Sequence, residues 1–295
     1  MRIVFMGTPD FAATCLEKLV GHCSVRRFEV VGVFSQPDKR SGRGMKLTPT
    51  AVKKVAESHG IPVLQPQSLR DGEALELLRG LAPDLIIVVA YGRLLPAAIL
   101  ELPPLGCVNI HASLLPKYRG SAPIQRAVLS GERTTGVTAM YMAEELDAGD
   151  IIAMRETEIL DGETSGELFL RLAELGAELL CDAVDMIADG SAPHIPQCDE
   201  DATFAPMLSK AESPIDLSAT AREVYNKIDG LDPWPCATLE VDGVVLKLFH
   251  ARLGEHEGGL VLPCRDGKVT VMELQAPGGK RMAASDYLRG HQICL

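Results

Sequence analysis

Residues 84–90 read Asp-Leu-Ile-Ile-Val-Val-Ala, a run with no polar face. A strand that is apolar on both sides has to be covered on both sides, which is the position of a central strand in a parallel sheet flanked by helices. The opening of the chain agrees. Ile3 to Met6 is a short apolar run, Gly7-Thr8-Pro9-Asp10 a turn, and Phe11, Cys15, Leu19 and Val20 return at helical spacing. Glu29 to Ser35 reads as a second strand and Ile61 to Leu64 as a short one, while Thr48 caps a helix with Pro49 at its first position. The expected class is α/β with an open, mostly parallel sheet. A dinucleotide-binding turn would need GxGxxG, which is absent, and Gly7 alone lends such a site little support.

The next strand carries a polar pair, which fits either a chemical site or a histidine that simply caps the strand. In Gly106-Cys107-Val108-Asn109-Ile110-His111 the alternation sends Val108 and Ile110 to one face and Asn109 and His111 to the other. From Ser113 to Gly120 the chain carries Pro, Gly and two cations and reads as a loop leaving the strand's carboxyl end, the edge at which open α/β sheets bind ligands. Cys107 shares the face of Asn109 but has no local His/Asp activation pattern, and it reads as a small buried residue. Farther on, Gly136 to Met142 and Ile151 to Ile159 form two strands whose connection, 143–150, holds four carboxylates. Glu144 and Glu145 suit a solvated tip. Asp147, followed by a small residue and a glycine, is the one placed for a fixed role.

The chain carries a net charge of −11, and residues 1–206 hold 19 basic against 28 acidic groups. Within that acidic part, Lys39, Arg40, Arg43 and Lys46 crowd a Gly/Ser-containing segment and make a local basic loop. Eight cysteines without a CxxC pair, and histidines without ligand spacing, point to reduced thiols rather than to a metal or disulfides. No apolar run reaches the roughly 18 to 20 residues of a membrane span. A cytoplasmic protein is expected, and a monomer, since no oligomer signal is visible. Thr164-Ser165-Gly166-Glu167 is a capping box opening a long amphipathic helix. After it the Pro-containing stretch near 191–208 reads as a linker, and short strands punctuated by Asp242-Gly243, Gly258-Gly259 and Asp266-Gly267 indicate a small β-barrel or sandwich.

Asn109-Ile110-His111, Ser113-Leu114-Leu115-Pro116, the segment Tyr118 to Gln125, and Leu146-Asp147-Ala148-Gly149-Asp150 together resemble the folate-dependent formyltransferases. That superfamily includes glycinamide ribonucleotide transformylase and the hydrolase domain of formyltetrahydrofolate dehydrogenase. Phe5 to Phe11, Gln36-Pro37-Asp38, Phe204-Ala205-Pro206, Asp232-Pro233-Trp234-Pro235 and Pro277-Gly278-Gly279-Lys280 extend the likeness over nearly the whole chain, toward members that act on tRNA. The resemblance implies a Rossmann-like formyltransferase domain over 1–190, a linker over 191–208, and an OB-like β-barrel over 209–295 that binds tRNA. It implies formyl transfer from 10-formyltetrahydrofolate to the amino group of methionyl-initiator tRNA, for translation initiation, with no metal. Asn109, His111 and Asp147 would be catalytic. Ser113, Leu114, Leu115 and Pro116, with Val89, Ala90 and Tyr91, would line the folate site, and Lys39, Arg40, Arg43 and Lys46 would contact tRNA. Departures from the family's pattern fall at Asp229, Leu217 and Met207, outside the catalytic set.

Such chemistry asks a neutral amine to attack a carbonyl whose oxygen gains negative charge. An amide such as Asn109 and a protonated imidazole such as His111 can donate hydrogen bonds to it, and a carboxylate such as Asp147 can take the amine's proton through a water. Two other classes share part of the pattern. A formyltransferase acting on a nucleotide-sugar or a glycinamide would keep the trio but would not need the basic loop and second domain. A non-catalytic RNA-binding protein would keep those and not need the trio.

Overall fold

The computed structural model describes residues 1–41, 45–291 and 293. In chain order the elements are β1 (Arg2–Gly7), α1 (Asp10–Arg26), β2 (Glu29–Phe34), β3 (Lys39–Ser41), β4 (Lys46–Thr48), α2 (Ala51–Ser58), β5 (Val63–Leu64), α3 (Glu73–Leu81), β6 (Leu85–Val89), α4 (Ala97–Leu100), β7 (Cys107–His111) and β8 (Arg119–Gly120). They continue as α5 (Pro123–Leu129), β9 (Thr134–Tyr141), β10 (Ile151–Glu158), α6 (Ser165–Ala188), β11 (Phe204–Ala205), α7 (Ala221–Gly230), β12 (Ala237–Val241), β13 (Val244–Leu253), β14 (Leu260–Cys264), β15 (Gly267–Gln275), β16 (Met282–Ala283) and α8 (Ala284–Leu288). Two compact units result. The first holds residues 1–119, 136–156 and 170–203, and the second holds 120–135, 157–169 and 204–295.

The first unit is built on a seven-stranded sheet in the order β10-β9-β7-β6-β1-β2-β5. Strands β5, β2, β1, β6 and β7 are parallel, and β9 lies antiparallel on β7 with His111 opposite Thr138. β6 sits between β1 and β7 with all five residues buried, as its unbroken apolar run demands. One face of the sheet packs Val4, Met6, Ile86, Val88 and Cys107 with Leu78 of α3 and Ile99 of α4. On the other face Ile110 reaches α6, where a Cβ on Gly176 would stand 3.1 Å from its Cγ2. Each large aliphatic side chain buried in this way contributes about 1.5–3 kcal/mol.

From β1 the chain winds to β2 and β5 on one side, and β6 and β7 lie on the other, so the winding reverses between β1 and β6. The loops leaving this reversal are tied at one carbonyl: Thr8 Oγ1 and Gln36 Nε2 donate to Tyr91 O at 3.2 and 3.1 Å. Gly7 has a packing role, since a Cβ there would lie 2.6 Å from Ala12 Cβ and 2.8 Å from a Phe5 ring carbon. Two local readings of the sequence change. The basic loop contains the antiparallel pair β3–β4, and α2 is capped by Thr50, whose hydroxyl accepts from Lys53 N at 3.2 Å. Thr48 instead lies in β4, because a second threonine after the proline offers the better-placed oxygen.

The second unit contains the small antiparallel β domain, a sheet ordered β12-β13-β15-β14 with β16 added to β15. Asp242 and Gly243 take φ of 49° and 76° between Val241 and Val244, the two left-handed residues that a tight β-hairpin requires. Leu246, Leu248, Leu262, Val269, Val271 and Leu274 form its core with Ile228 of α7 and Ala284 of α8. At the head of α6, Thr164 N donates to Glu167 Oε2 at 2.9 Å and Glu167 N donates to Thr164 Oγ1 at 3.2 Å, the reciprocal box that the sequence predicts.

Asp229, near the end of α7, is a buried acid in this unit. Its Oδ1 accepts from Ala251 N at 3.1 Å, and Oδ2 has no hydrogen-bond partner among the described residues. Burial, helped by the neighbouring charges of Asp232 and Glu167, raises its carboxyl to about 7. A carboxyl that holds its proton more tightly folded than unfolded makes stability fall as pH rises, here from about 4, the unperturbed value, toward 7. Denaturant midpoints measured from pH 5 to 8 are therefore expected to decline, and Asp229→Asn to flatten that decline. Identical slopes for the two proteins would mean that this carboxyl titrates normally.

Candidate active site

Asn109 and His111 leave the sheet together because they are two residues apart on β7, with Val88 of β6 beside Asn109 and Met140 of β9 on its other side. Asn109 is half-buried, and among the described residues its carboxamide has no hydrogen-bond partner. His111 is buried, and its Nε2 lies 2.9 Å from the carbonyl oxygen of Tyr118. A carbonyl only accepts, so Nε2 carries the hydrogen and Nδ1 is the nitrogen turned to the rest of the site. There Asp147 Oδ2 stands 3.7 Å away, close enough to pair with an imidazolium and longer than a direct hydrogen bond.

Asp147 reaches this position through an unusual backbone. Its φ is +51°, a left-handed conformation that Asp tolerates better than most residues. Two residues on, a Cβ at Gly149 would fall 1.8 Å from Tyr141 O, so only glycine lets the loop return so close to β9. The carbonyls of Asp147 and Gly149 both accept from Gln197 Nε2, at 2.9 and 2.8 Å. Gln197 Oε1 in turn accepts from Arg119 Nε and Nη2, at 3.1 and 2.8 Å.

The loop from Ser113 to Pro116 is closed by its own hydrogen bonds. Ser113 is buried, its hydroxyl donates to Lys117 O at 2.6 Å, and its carbonyl accepts from Thr138 Oγ1 at 2.6 Å. Leu115 is buried, while Leu114 and Pro116 are half-buried. At the end of β6, Val89 is buried and Ala90 exposed with φ +44°, and Tyr91 is buried again. Lys39, Arg40 and Lys46 are exposed on the β3–β4 hairpin, and Arg43 lies outside the described residues. Cys107 is buried among Ile99 and Leu100 carbonyls, and burial pushes its thiol up to about 12. No thiolate nucleophile is available there near neutral pH.

Three parts of this arrangement were not foreseen from sequence: Gln197, the Tyr118 carbonyl, and the structural part played by Arg119. A lone glutamine in a Pro-containing stretch has no periodic signal, and a backbone acceptor has none at all. Arg119 stands in a recognisable motif but gains meaning only from its partner. Among the described residues no group of three His, Cys, Asp or Glu side chains could hold a metal ion. No helix among them is long and apolar enough to cross a membrane.

Residues 1–184 match the formyl transferase family, and residues 207–292 match the formyl transferase C-terminal domain. The methionyl-tRNA formyltransferase of Moorella thermoacetica is 47% identical over 308 residues, covering 99% of this chain and 97% of its own. That of Alkaliphilus oremlandii is 46% identical over 308 residues with the same two coverages. Among solved structures, the N-formyltransferase from Helicobacter canadensis in complex with folinic acid and dTDP-3-aminofucose has a TM-score of 0.69 at 16% identity, over 95% of this chain and 99% of that one. The structural likeness speaks for the fold, and the sequence matches decide the family: the chain belongs to the formyl transferases, among the relatives named methionyl-tRNA formyltransferase.

Proposed function

We propose that this chain transfers the formyl group of 10-formyltetrahydrofolate to the amino group of methionyl-initiator tRNA, as the names of relatives at 46 and 47% identity suggest. The observation that carries the reading is the trio itself: an amide with no hydrogen-bond partner among the described residues, and an imidazole whose Nδ1 faces a carboxylate at 3.7 Å. The residues present suit the folate. Asn109 offers an amide donor beside a loop whose Leu114 and Pro116 are apolar and half-buried, and Ala90 is an exposed residue at the neighbouring strand end. Leu114, Leu115 and Pro116 with Val89, Ala90 and Tyr91 would hold it, Ser113 acting through the loop shape that its hydroxyl fixes. Bound there, the folate supplies an activated formyl carbonyl open to attack by a neutral amine.

The side chains then divide the work. Asn109 donates its amide hydrogen to the oxygen on which negative charge grows. His111 adds the charge-assisted bond from Nδ1–H, since Nε2–H is spent on Tyr118. Asp147 offsets the ring's positive charge and takes the attacking amine's proton through a water; as the bond from the formyl carbon to the folate N10 breaks, that nitrogen takes the proton back by the same route and leaves. The basic hairpin would meet the phosphates of the tRNA: Lys39, Arg40 and Lys46 are exposed on it, and Arg43 belongs to the same segment. Its base is firm, because Gln65 Nε2 and Lys53 Nζ donate to Asp38 at 2.7 and 2.8 Å and hold that carboxyl below the usual range. We read the chain as a cytoplasmic monomer whose formyltransferase domain spans 1–190 and whose tRNA-binding domain spans 209–295, its seven described cysteines all free.

Incubation with 10-formyltetrahydrofolate and charged initiator tRNA, followed by mass analysis of the released amino acid, is expected to give N-formylmethionine. Formylation of a nucleotide-sugar or glycinamide instead would move the chain to the small-amine class. Asn109→Ala and His111→Ala should each lower turnover about 100 to 1000-fold, the usual cost of one oxyanion donor, and Asp147→Asn should be comparably severe. Cys107→Ala should keep near wild-type turnover. Alanine at Lys39 and Lys46 together should raise the KM for tRNA and flatten the slope of log affinity against log salt by about 0.7 to 0.9 per lost phosphate contact. An unaltered salt slope with unaltered tRNA kinetics would remove the hairpin from the interface.

A further inference from the structure

We infer that Gln197, itself set by Arg119, is a positioning residue for the transfer: it fixes the left-handed turn at Asp147 that aims this carboxylate at His111. The inference rests on the trio being the transfer machinery. Gln197 spends both amide hydrogens on the loop, one on Asp147 O at 2.9 Å and one on Gly149 O at 2.8 Å. Its oxygen is taken by two N–H groups of Arg119 at 3.1 and 2.8 Å. A flipped carboxamide would face oxygen to carbonyls and NH2 to guanidinium, so only one orientation satisfies all four contacts.

The contacts fall where the geometry is most sensitive. Asp147 is held at φ +51°, and rotation of either adjoining peptide would swing its Cα–Cβ bond and move the carboxylate away from Nδ1, 3.7 Å off. Loss of the two Gln197 bonds removes direct restraints from the Asp147 and Gly149 carbonyls beside this sparsely populated backbone conformation. Arg119 is the right anchor because it is only 5% exposed, its Nη2 also donates to Asp199 Oδ1 at 2.8 Å, and it is adjacent in the chain to Tyr118, whose carbonyl holds His111. Thr203 sets that neighbourhood from outside, its hydroxyl accepting from Tyr118 N at 2.9 Å and its carbonyl from Arg119 N at 2.8 Å. Imidazole and carboxylate are thus referred to one frame, the first through the Tyr118 carbonyl and the second through Arg119 and Gln197. The cation polarises the carboxamide that it binds, which strengthens the two bonds that the amide donates.

Gln197→Leu keeps a similar volume and removes every polar contact. It is expected to lower kcat about 10 to 100-fold, the range that misplacement of about 1 Å can cause, with the KM for 10-formyltetrahydrofolate and for methionyl-tRNA nearly unchanged. Amide hydrogen exchange should speed up at 147–150 and stay as in wild type at β1 and β6. Gln197→Glu, which offers no donor to the two carbonyls, should be at least as slow. Arg119→Lys, still a cation toward Oε1, should retain more turnover than Arg119→Leu. An unchanged kcat in Gln197→Leu, or exchange that rises evenly through the whole unit, would overturn the positioning role. A wild-type chain that formylates no tRNA would bring down the functional reading by itself, while unchanged exchange at 147–150 in Gln197→Leu would bring down the clamp by itself.

Discussion

The hydrogen bond from His111 Nε2 to Tyr118 O, 2.9 Å long, decides which ring nitrogen is left open to a second partner. With Nε2–H fixed, any partner that is to sense or offset the ring's charge has to come to Nδ1, and the site is arranged on that side. The bond exists because the loop after β7 folds back on its own strand. Ser113 closes onto the Lys117 carbonyl, Thr138 holds the Ser113 carbonyl, and Leu115 N donates to Thr138 Oγ1 at 3.2 Å. Tyr118, at φ +62°, then turns its carbonyl inward. Thr138 can join because β9 lies antiparallel on β7 with that residue opposite His111. The register of one strand pair therefore supports the loop, the loop supplies the carbonyl, and the carbonyl orients the ring.

What could be read from the sequence follows the range over which each interaction acts. β6 was legible because its apolar run is local and leaves no alternative to burial on both faces. Asn109 and His111 were legible as a pair because the strand period is two, and the box of Thr164 and Glu167 because its partners are three residues apart. The cap of α2 was misplaced by two residues, since Thr48 and Thr50 bracket one proline and only the fold says which oxygen meets Lys53 N. Gln197 was beyond reach for a different reason. Its partners at 119, 147 and 149 come from distant parts of the chain, and the acceptors on two of them are backbone atoms with no residue signature. In the folded chain the stretch around it is ordered against the first unit, His194 stacking on Tyr141 at 4.2 Å between ring centres and Ile195 bridging to Ile151.

A chain of net charge −11 that is to bind a polyanion has to gather its cations locally, because the field of the whole repels the ligand. Lys39, Arg40 and Lys46 are gathered in this way on the β3–β4 hairpin of the first unit. In the second unit several cations are spent internally. Arg281 meets Asp232 at 3.1 Å and lies 4.2 Å from the Phe249 ring centre, and Arg126 is tied to Glu212 at 2.6 Å. Burial pushes the Asp232 carboxyl up even beside Arg281. Charges committed in this way shape the domain and leave less to offer a phosphate.

Gly7 closes the turn from β1 into α1 so tightly that a Cβ there would lie 2.6 Å from Ala12 Cβ, 2.8 Å from a Phe5 ring carbon and 3.0 Å from Val89 O. A lone hydrogen atom therefore sets the spacing between the first strand, the first helix and the end of β6. Any larger side chain would wedge the three apart at the very edge from which the loops of the site leave, so what can stand at this position is dictated by the sheet and not by the substrates.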